Sequence, residues 1–99
     1  MSIEILDLAK QDLIEGYAFY EENDVGLGDY FLINLFADIE SLQLYAGLHA
    51  KPHKHFHRAL SKRFPFAIFY TLTHDGIRVH AVVDCRRRPA WIRKHLRQA

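Results

Sequence analysis

RFPFAIFYTL at residues 63–72 and RVHAVVDCRRRPAWI at residues 78–92 decide the fold. Residues 66–73 are apolar at nearly every position, as in a central strand covered on both faces. Asp75-Gly76 between two such runs is a two-residue hairpin signal. The following strand alternates, with Val79, Ala81, Val83 and Cys85 on one side and Arg78, His80, Val82 and Asp84 on the other. The first set is expected to face the helices, which makes Cys85 a small buried hydrophobe, and the second to be more exposed. Pro89 suits the first turn of a closing helix. In that helix Trp91 is expected to fold back on the sheet, while Arg93, Lys94 and Arg97 stay wet.

Toward the N-terminus the apolar period changes. Ile3 and Ile5 alternate with polar neighbours, which predicts a short first strand. Leu6, Ala9, Leu13, Tyr17 and Tyr20 recur at helical spacing, and Asn23-Asp24 with Gly26 and Gly28 breaks the run. A second helix is predicted over residues 27–45. Phe31, Leu35, Ile39 and Leu42 form its inner face, Leu32 and Phe36 widen it, and Gly47 closes it. The wide stripe calls for a broad packing partner. Residues 56–62 are a further strand candidate. The order β-α-α-β-β-β with a short closing helix predicts an α+β fold, a helical hairpin packed on a small, mainly antiparallel sheet.

The chain has 99 residues, 49% of them apolar and 25% charged, which fits one ordered domain over residues 1–99. The longest apolar runs are too short to span a bilayer, and the acidic start MSIEILDLAK lacks the features of a signal peptide. One cysteine forms no intramolecular disulfide, so a cytoplasmic location and no membrane partner are expected. The charge is divided. Residues 1–50 carry ten acids against one base, a balance of −9; residues 51–99 carry twelve bases against two acids, a balance of +10. Such asymmetry suits an anionic partner, or acidic helices neutralising a basic sheet.

Arg86, Arg87 and Arg88 at a strand end can hold phosphates through their planar forks, with Arg63 and Arg93 adding charge. His49, His53, His55 and His57 form a second cluster. In an extended segment the last three would share a face. Lys51, Lys54 and Arg58 would repel a cation there, and no cysteine or carboxylate completes a zinc site, so neither metal nor cofactor is expected. His53, His55, His57, His74 and His80 are all conceivable proton-transfer groups, and no spacing singles one out.

FYEEN (residues 19–23), GLGDYFL (26–32), HRALSKRFPFAIFY (57–70) and VHAVVDCRRRPAWI (79–92) together resemble the RelE/ParE toxin superfamily of type II toxin–antitoxin systems. The similarity runs from about residue 8 to about residue 96. It implies a helical hairpin on a curved antiparallel sheet, and a growth inhibitor that forms a hetero-oligomer with its cognate antitoxin. RelE-like members of the superfamily cleave mRNA on the ribosome with basic residues and a C-terminal tyrosine; ParE-like (plasmid stabilisation) members poison DNA gyrase. Here Ala67 stands where the RelE pattern has an arginine, and Trp91, Ile92 and Arg93 stand where a tyrosine would fall. Arg87 is the nearest match to the basic residue ending the last strand. These departures favour the ParE-like branch and a binding inhibitor without chemistry of its own. Its target and antitoxin contacts would be Arg63, Arg86, Arg87, Arg88, Trp91 and Arg93, and the antitoxin's contacting segment would be acidic. The alternatives are an endoribonuclease using Arg63, Arg87 and Arg93 for phosphate stabilisation and His57 or His80 for proton transfer, or a non-toxic antitoxin partner.

Overall fold

The computed structural model describes residues 2–53 and 55–99. The order is β1 (Ser2–Ile5), α1 (Asp7–Asn23), α2 (Leu27–Glu40), a one-turn α3 (Leu42–Tyr45), β2 (His57–Leu60), β3 (Phe66–Thr73), β4 (Gly76–Asp84) and α4 (Pro89–Leu96). The strands form one sheet in the order β1-β4-β3-β2. β1 runs parallel to β4, while β2, β3 and β4 are antiparallel, so the expected α+β fold holds with one parallel edge. The parallel pair follows from the intervening hairpin, since a crossover is what joins parallel neighbours.

The turn between α1 and α2 is closed by Glu21. Its carboxylate accepts the amides of Gly26 (3.1 Å) and Gly28 (3.0 Å) at the start of α2, where orphan donors and the helix dipole both favour an anion. Gly26 sits at φ 90°, in the left-handed region. The second helix is shorter than its apolar period suggests. It breaks at Ser41, whose hydroxyl donates to the Asp38 carbonyl (2.6 Å), and α3 follows. A serine bonded back to its own helix competes with the ladder there.

The sheet buries both faces, and a bulge decides which residues lie on each. Phe69 pairs with Ala81 but Tyr70 pairs with Val79, so His80 is the extra residue of β4. On the hairpin side, Ile77, Val79 and Val82 join Ala9, Leu13, Phe31, Leu35, Ile68 and Tyr70. On the opposite side, Ala81 and Val83 pack with Ala67, Phe69 and Leu96, flanked by Leu8, Phe56 and Ile92. The alternation expected from sequence therefore fails beyond Val79: Ala81 and Val83 face α4, and Val82 faces the helices. One inserted residue inverts every later side chain, because the strand period is two.

Two smaller expectations also need correcting. The hairpin loop is His74-Asp75, one residue earlier than Asp75-Gly76, and Gly76 already pairs with Thr73. The Thr73 hydroxyl accepts the amides of Asp75 and Gly76 (both 3.2 Å) and closes the turn. Gly76 is required for another reason: a Cβ there would overlap the Ser2 carbonyl of β1. Cys85 is exposed rather than buried, just beyond the end of β4.

Candidate functional site

The three arginines do three different things. Arg86 forks onto Asp84, Nε to Oδ1 at 3.0 Å and Nη2 to Oδ2 at 2.7 Å, while its own amide also donates to Oδ1 (2.8 Å). These bonds hold the Asp84 carboxyl below its usual range and raise the Arg86 guanidinium. Arg86 is thus engaged within the chain. Arg87 lies over the Trp91 ring, 4.2 Å from its centroid. Trp91 stacks in turn on His95 (4.7 Å, 13°) rather than folding onto the sheet, and Ile92 and Leu96 take that place. Arg88 precedes Pro89 at the start of α4, with an exposed side chain.

The Arg87–Trp91–His95 column ends on a buried carboxylate. His95 Nε2 lies 2.8 Å from Asp12 Oδ1, and Asp12 Oδ2 accepts the Val82 amide at 2.9 Å. That amide lies on β4 beyond the last β1 pairing, Ile5 with Val79, so no neighbouring strand serves it there. Burial raises the Asp12 pKa, opposed by the Val82 amide and then by His95. Asp12 and His95 are contacts that sequence reading missed. Asp12 looks like one more acid of α1, and only its place one turn from Ala9 and beside Leu13 marks it as inward.

Arg63 belongs to the turn between β2 and β3. The turn is pinned on α2 by Asp38, whose Oδ2 accepts the Ser61 hydroxyl (2.6 Å), and on the end of β4 by the Cys85 amide donating to the Pro65 carbonyl (2.8 Å). The fold therefore brings Arg63's turn to the strand end that carries Arg86. Arg93 goes elsewhere. It lines a groove of about 380 Å³ with His53, His55, Phe56, Leu96 and Arg97, where β2 and α4 border the second sheet face. Although the residue is exposed, partial desolvation of its sulfur pushes the Cys85 thiol up, the nearby Arg58 charge opposing it, so a reactive thiolate is disfavoured.

The histidines separate as well. His53 and Phe56 form a tight bridge (Phe56 N–H to His53 carbonyl, 2.8 Å), so residues 53, 55 and 57 do not share an extended face. Lys54 lies outside the described residues. Among those described, no group of three or more His, Cys, Asp or Glu is placed to hold a metal ion. His57 is buried on the hairpin side, stacked on Tyr70 (5.0 Å, 20°) with Nδ1 on the His49 carbonyl (2.8 Å). His80 is on the other side, its Nε2 on the Thr71 hydroxyl (2.7 Å) and its ring against Phe56 (5.0 Å). These two alternative proton-transfer groups are therefore on opposite faces of the sheet. Burial, and then Arg78, lowers the His80 pKa.

A further surface was foreshadowed only by the width of the second helix's apolar stripe. Between α1 and α2 lies an apolar groove of about 530 Å³, lined by Ile5, Leu13, Ile14, Tyr17, Leu32 and Phe36, with Lys10 and Asp29 as its charged members. Ile14 is 61% exposed and Phe36 46%. Side chains of this size at helical spacing are thus left uncovered along the groove.

No family model and no curated protein matches the sequence. Among solved structures, the chain shares its fold with a chain from the chromosomal ParDE TA system of P. aeruginosa. The TM-score is 0.72 and the identity 17%, over 85% of this chain and 95% of that one. No helix is long and apolar enough to cross a membrane among the described residues.

Proposed function

We propose that this chain is the toxin of a type II toxin–antitoxin pair, acting in the cytoplasm as a ParE-like inhibitor that binds DNA gyrase. The observation that carries the reading is the fold shared, over most of both chains, with a chain of a ParDE system. The uncovered groove between α1 and α2 supports the antitoxin half of it. An amphipathic helix laid in that groove would bury Ile14 and Phe36 and meet the opposite charges of Lys10 and Asp29. The scattered histidines and the internal pairing of Arg86 with Asp84 favour binding over chemistry. Arg63, Arg87, Arg88 and Trp91 remain the proposed target contacts, with Arg86 as the brace of that strand end.

A second reading, a ribosome-dependent endoribonuclease, has one specific observation in its favour. The groove on the second sheet face brings Arg93 and Arg97 together with His53 and His55, a cationic lining suited to an RNA backbone. Induction of this chain alone, then with the adjacent reading frame, separates the readings. A ParE-like toxin arrests growth, is rescued by the partner, and inhibits supercoiling by purified gyrase. Growth arrest with unaffected supercoiling and cleaved mRNA would transfer the assignment to the ribonuclease. Unaffected growth would leave only an antitoxin-binding protein.

A further inference from the structure

Between Gly47 and Pro52 the chain crosses the outer edge of β2 with one side chain turned inward, that of His49. Among the described residues β2 pairs with β3 alone, so its other edge has no strand partner. The crossing segment covers part of it: the Arg58 amide, pointing away from β3, donates to the Ala50 carbonyl (2.9 Å). Two further bonds hold the segment down. The Gly47 amide donates to the Tyr70 hydroxyl oxygen (3.0 Å), and His57 Nδ1 donates to the His49 carbonyl (2.8 Å).

The remaining bond sets the protonation state. Tyr70 is fully buried, and its hydroxyl oxygen already accepts the Gly47 amide. The hydroxyl proton therefore has one place to go, His49 Nδ1, 2.6 Å away. That bond needs His49 neutral, with its own proton on Nε2. A protonated ring would present N–H to O–H, strand a buried hydroxyl proton, and bring a cation beside His57. The titratable groups facing His49 are His57 from β2 and Tyr70 from β3, and neither is a carboxylate that would favour the cation. Burial, and then His57, lowers the His49 pKa, in keeping with this geometry.

We propose that residues 47–53 form a strap latched over the outer edge of β2 by neutral His49, and that protonation of His49 releases the strap and bares this edge. The device does not depend on the toxin reading.

Amide hydrogen exchange on the full chain tests it, with Gly47 and Arg58 followed at about pH 7.5 and about pH 5 and corrected for intrinsic rates. Protection of both amides is expected to fall about tenfold at the lower pH, on the order of one lost buried hydrogen bond. Ala67 in the central strand, paired with Leu60 and Val83, should keep its protection. His49→Asn places an amide oxygen where Nδ1 was and does not titrate, so it should stay protected at both pH values. His57→Asn, which keeps the donor to the His49 carbonyl, should open like the wild type. The strap is overturned if the wild type stays closed at about pH 5, if His49→Asn opens as the wild type does, or if His57→Asn alone abolishes the opening. The NMR titration midpoint of the His49 ring must also coincide with the opening midpoint; separate midpoints reject the latch.

Discussion

At the scale of single residues, Gly16 shows how context reverses a propensity. Glycine inside a helix costs about 1 kcal/mol relative to alanine, so an exposed Gly→Ala change in α1 would stabilise it. A Cβ at Gly16 would instead lie 2.5 Å from Phe31 Cζ, and Phe31 is wedged among Tyr20, Phe64 and Phe66. Gly16→Ala is therefore expected to destabilise by about 1–3 kcal/mol, the cost of overpacking, read as a lowered denaturation midpoint. The histidines set a second residue-scale expectation. The pKa values of His49 and His80 are both lowered by burial, so the unfolded chain binds more protons as pH falls below the ordinary histidine value. Their stabilisation is present above that value and is lost on acidification. Asp12 acts with opposite sign: its raised pKa favours the folded state below the ordinary carboxylate value and loses that contribution as pH rises through the folded value. Between about pH 7 and about pH 5.5 the histidines should dominate. Tm should fall over that window, and His80→Gln, which keeps a nitrogen on Thr71, should make the slope shallower. An unchanged slope would place the titration elsewhere. None of these roles is written in the residues alone. Asp12 and His80 look like surface groups until the bulge and α4 enclose them.

At the scale of elements, most of the architecture was legible because period and punctuation agreed. Phe66–Thr73 reads as a buried strand, Asp7–Asn23 as an amphipathic helix, and Pro89 opens α4 where its missing N–H costs nothing. What could not be read is where regularity gives way to a contact made far along the chain. The bulge at His80 leaves no local mark, yet it moves Ala81 and Val83 from the helical core to the α4 side. The Thr73 hydroxyl, rather than a glycine-containing loop, closes the hairpin. The motif FYEEN with GLG is the opposite case, since its chemistry is local. Glu21 caps α2 through the Gly26 and Gly28 amides, while a Cβ on Gly28 would press on the Tyr17 ring. Glu21→Ala is expected to cost about 1–2 kcal/mol, the range for a lost helix cap, and to loosen the hairpin first. Faster amide exchange at Gly26 and Gly28 ahead of the α2 interior would show this, and equal rates would count against it.

At the scale of the whole molecule, the charge division between halves is not dissolved by folding. The ion pairs that join the acidic half to the basic half are Arg78 with exposed Glu4 and His95 with buried Asp12, among the described residues. An exposed pair such as the first contributes at most about 1 kcal/mol. The helices thus keep their acids and the sheet's second face keeps its bases, and the apolar groove lies on the acidic side. This bears on the expectation that a partner's contacting segment is acidic. An acidic segment suits the basic face, while the groove between α1 and α2 calls first for apolar side chains. On the proposed toxin reading the two surfaces should be separable. Ile14→Glu puts a charge into the groove at a position already 61% exposed. It should leave the fold within about 0.5 kcal/mol of wild-type stability and abolish capture by the partner while toxicity persists. Arg87→Glu removes the cation from Trp91 at the strand end. It should weaken target inhibition, most visibly at low salt, while partner capture through the groove survives. Growth assays with and without the adjacent gene, beside pull-down with the purified partner, give both readouts. If either substitution abolished both activities in a protein that still unfolds cooperatively, partner and target would share one surface, and neutralisation would be direct competition for it.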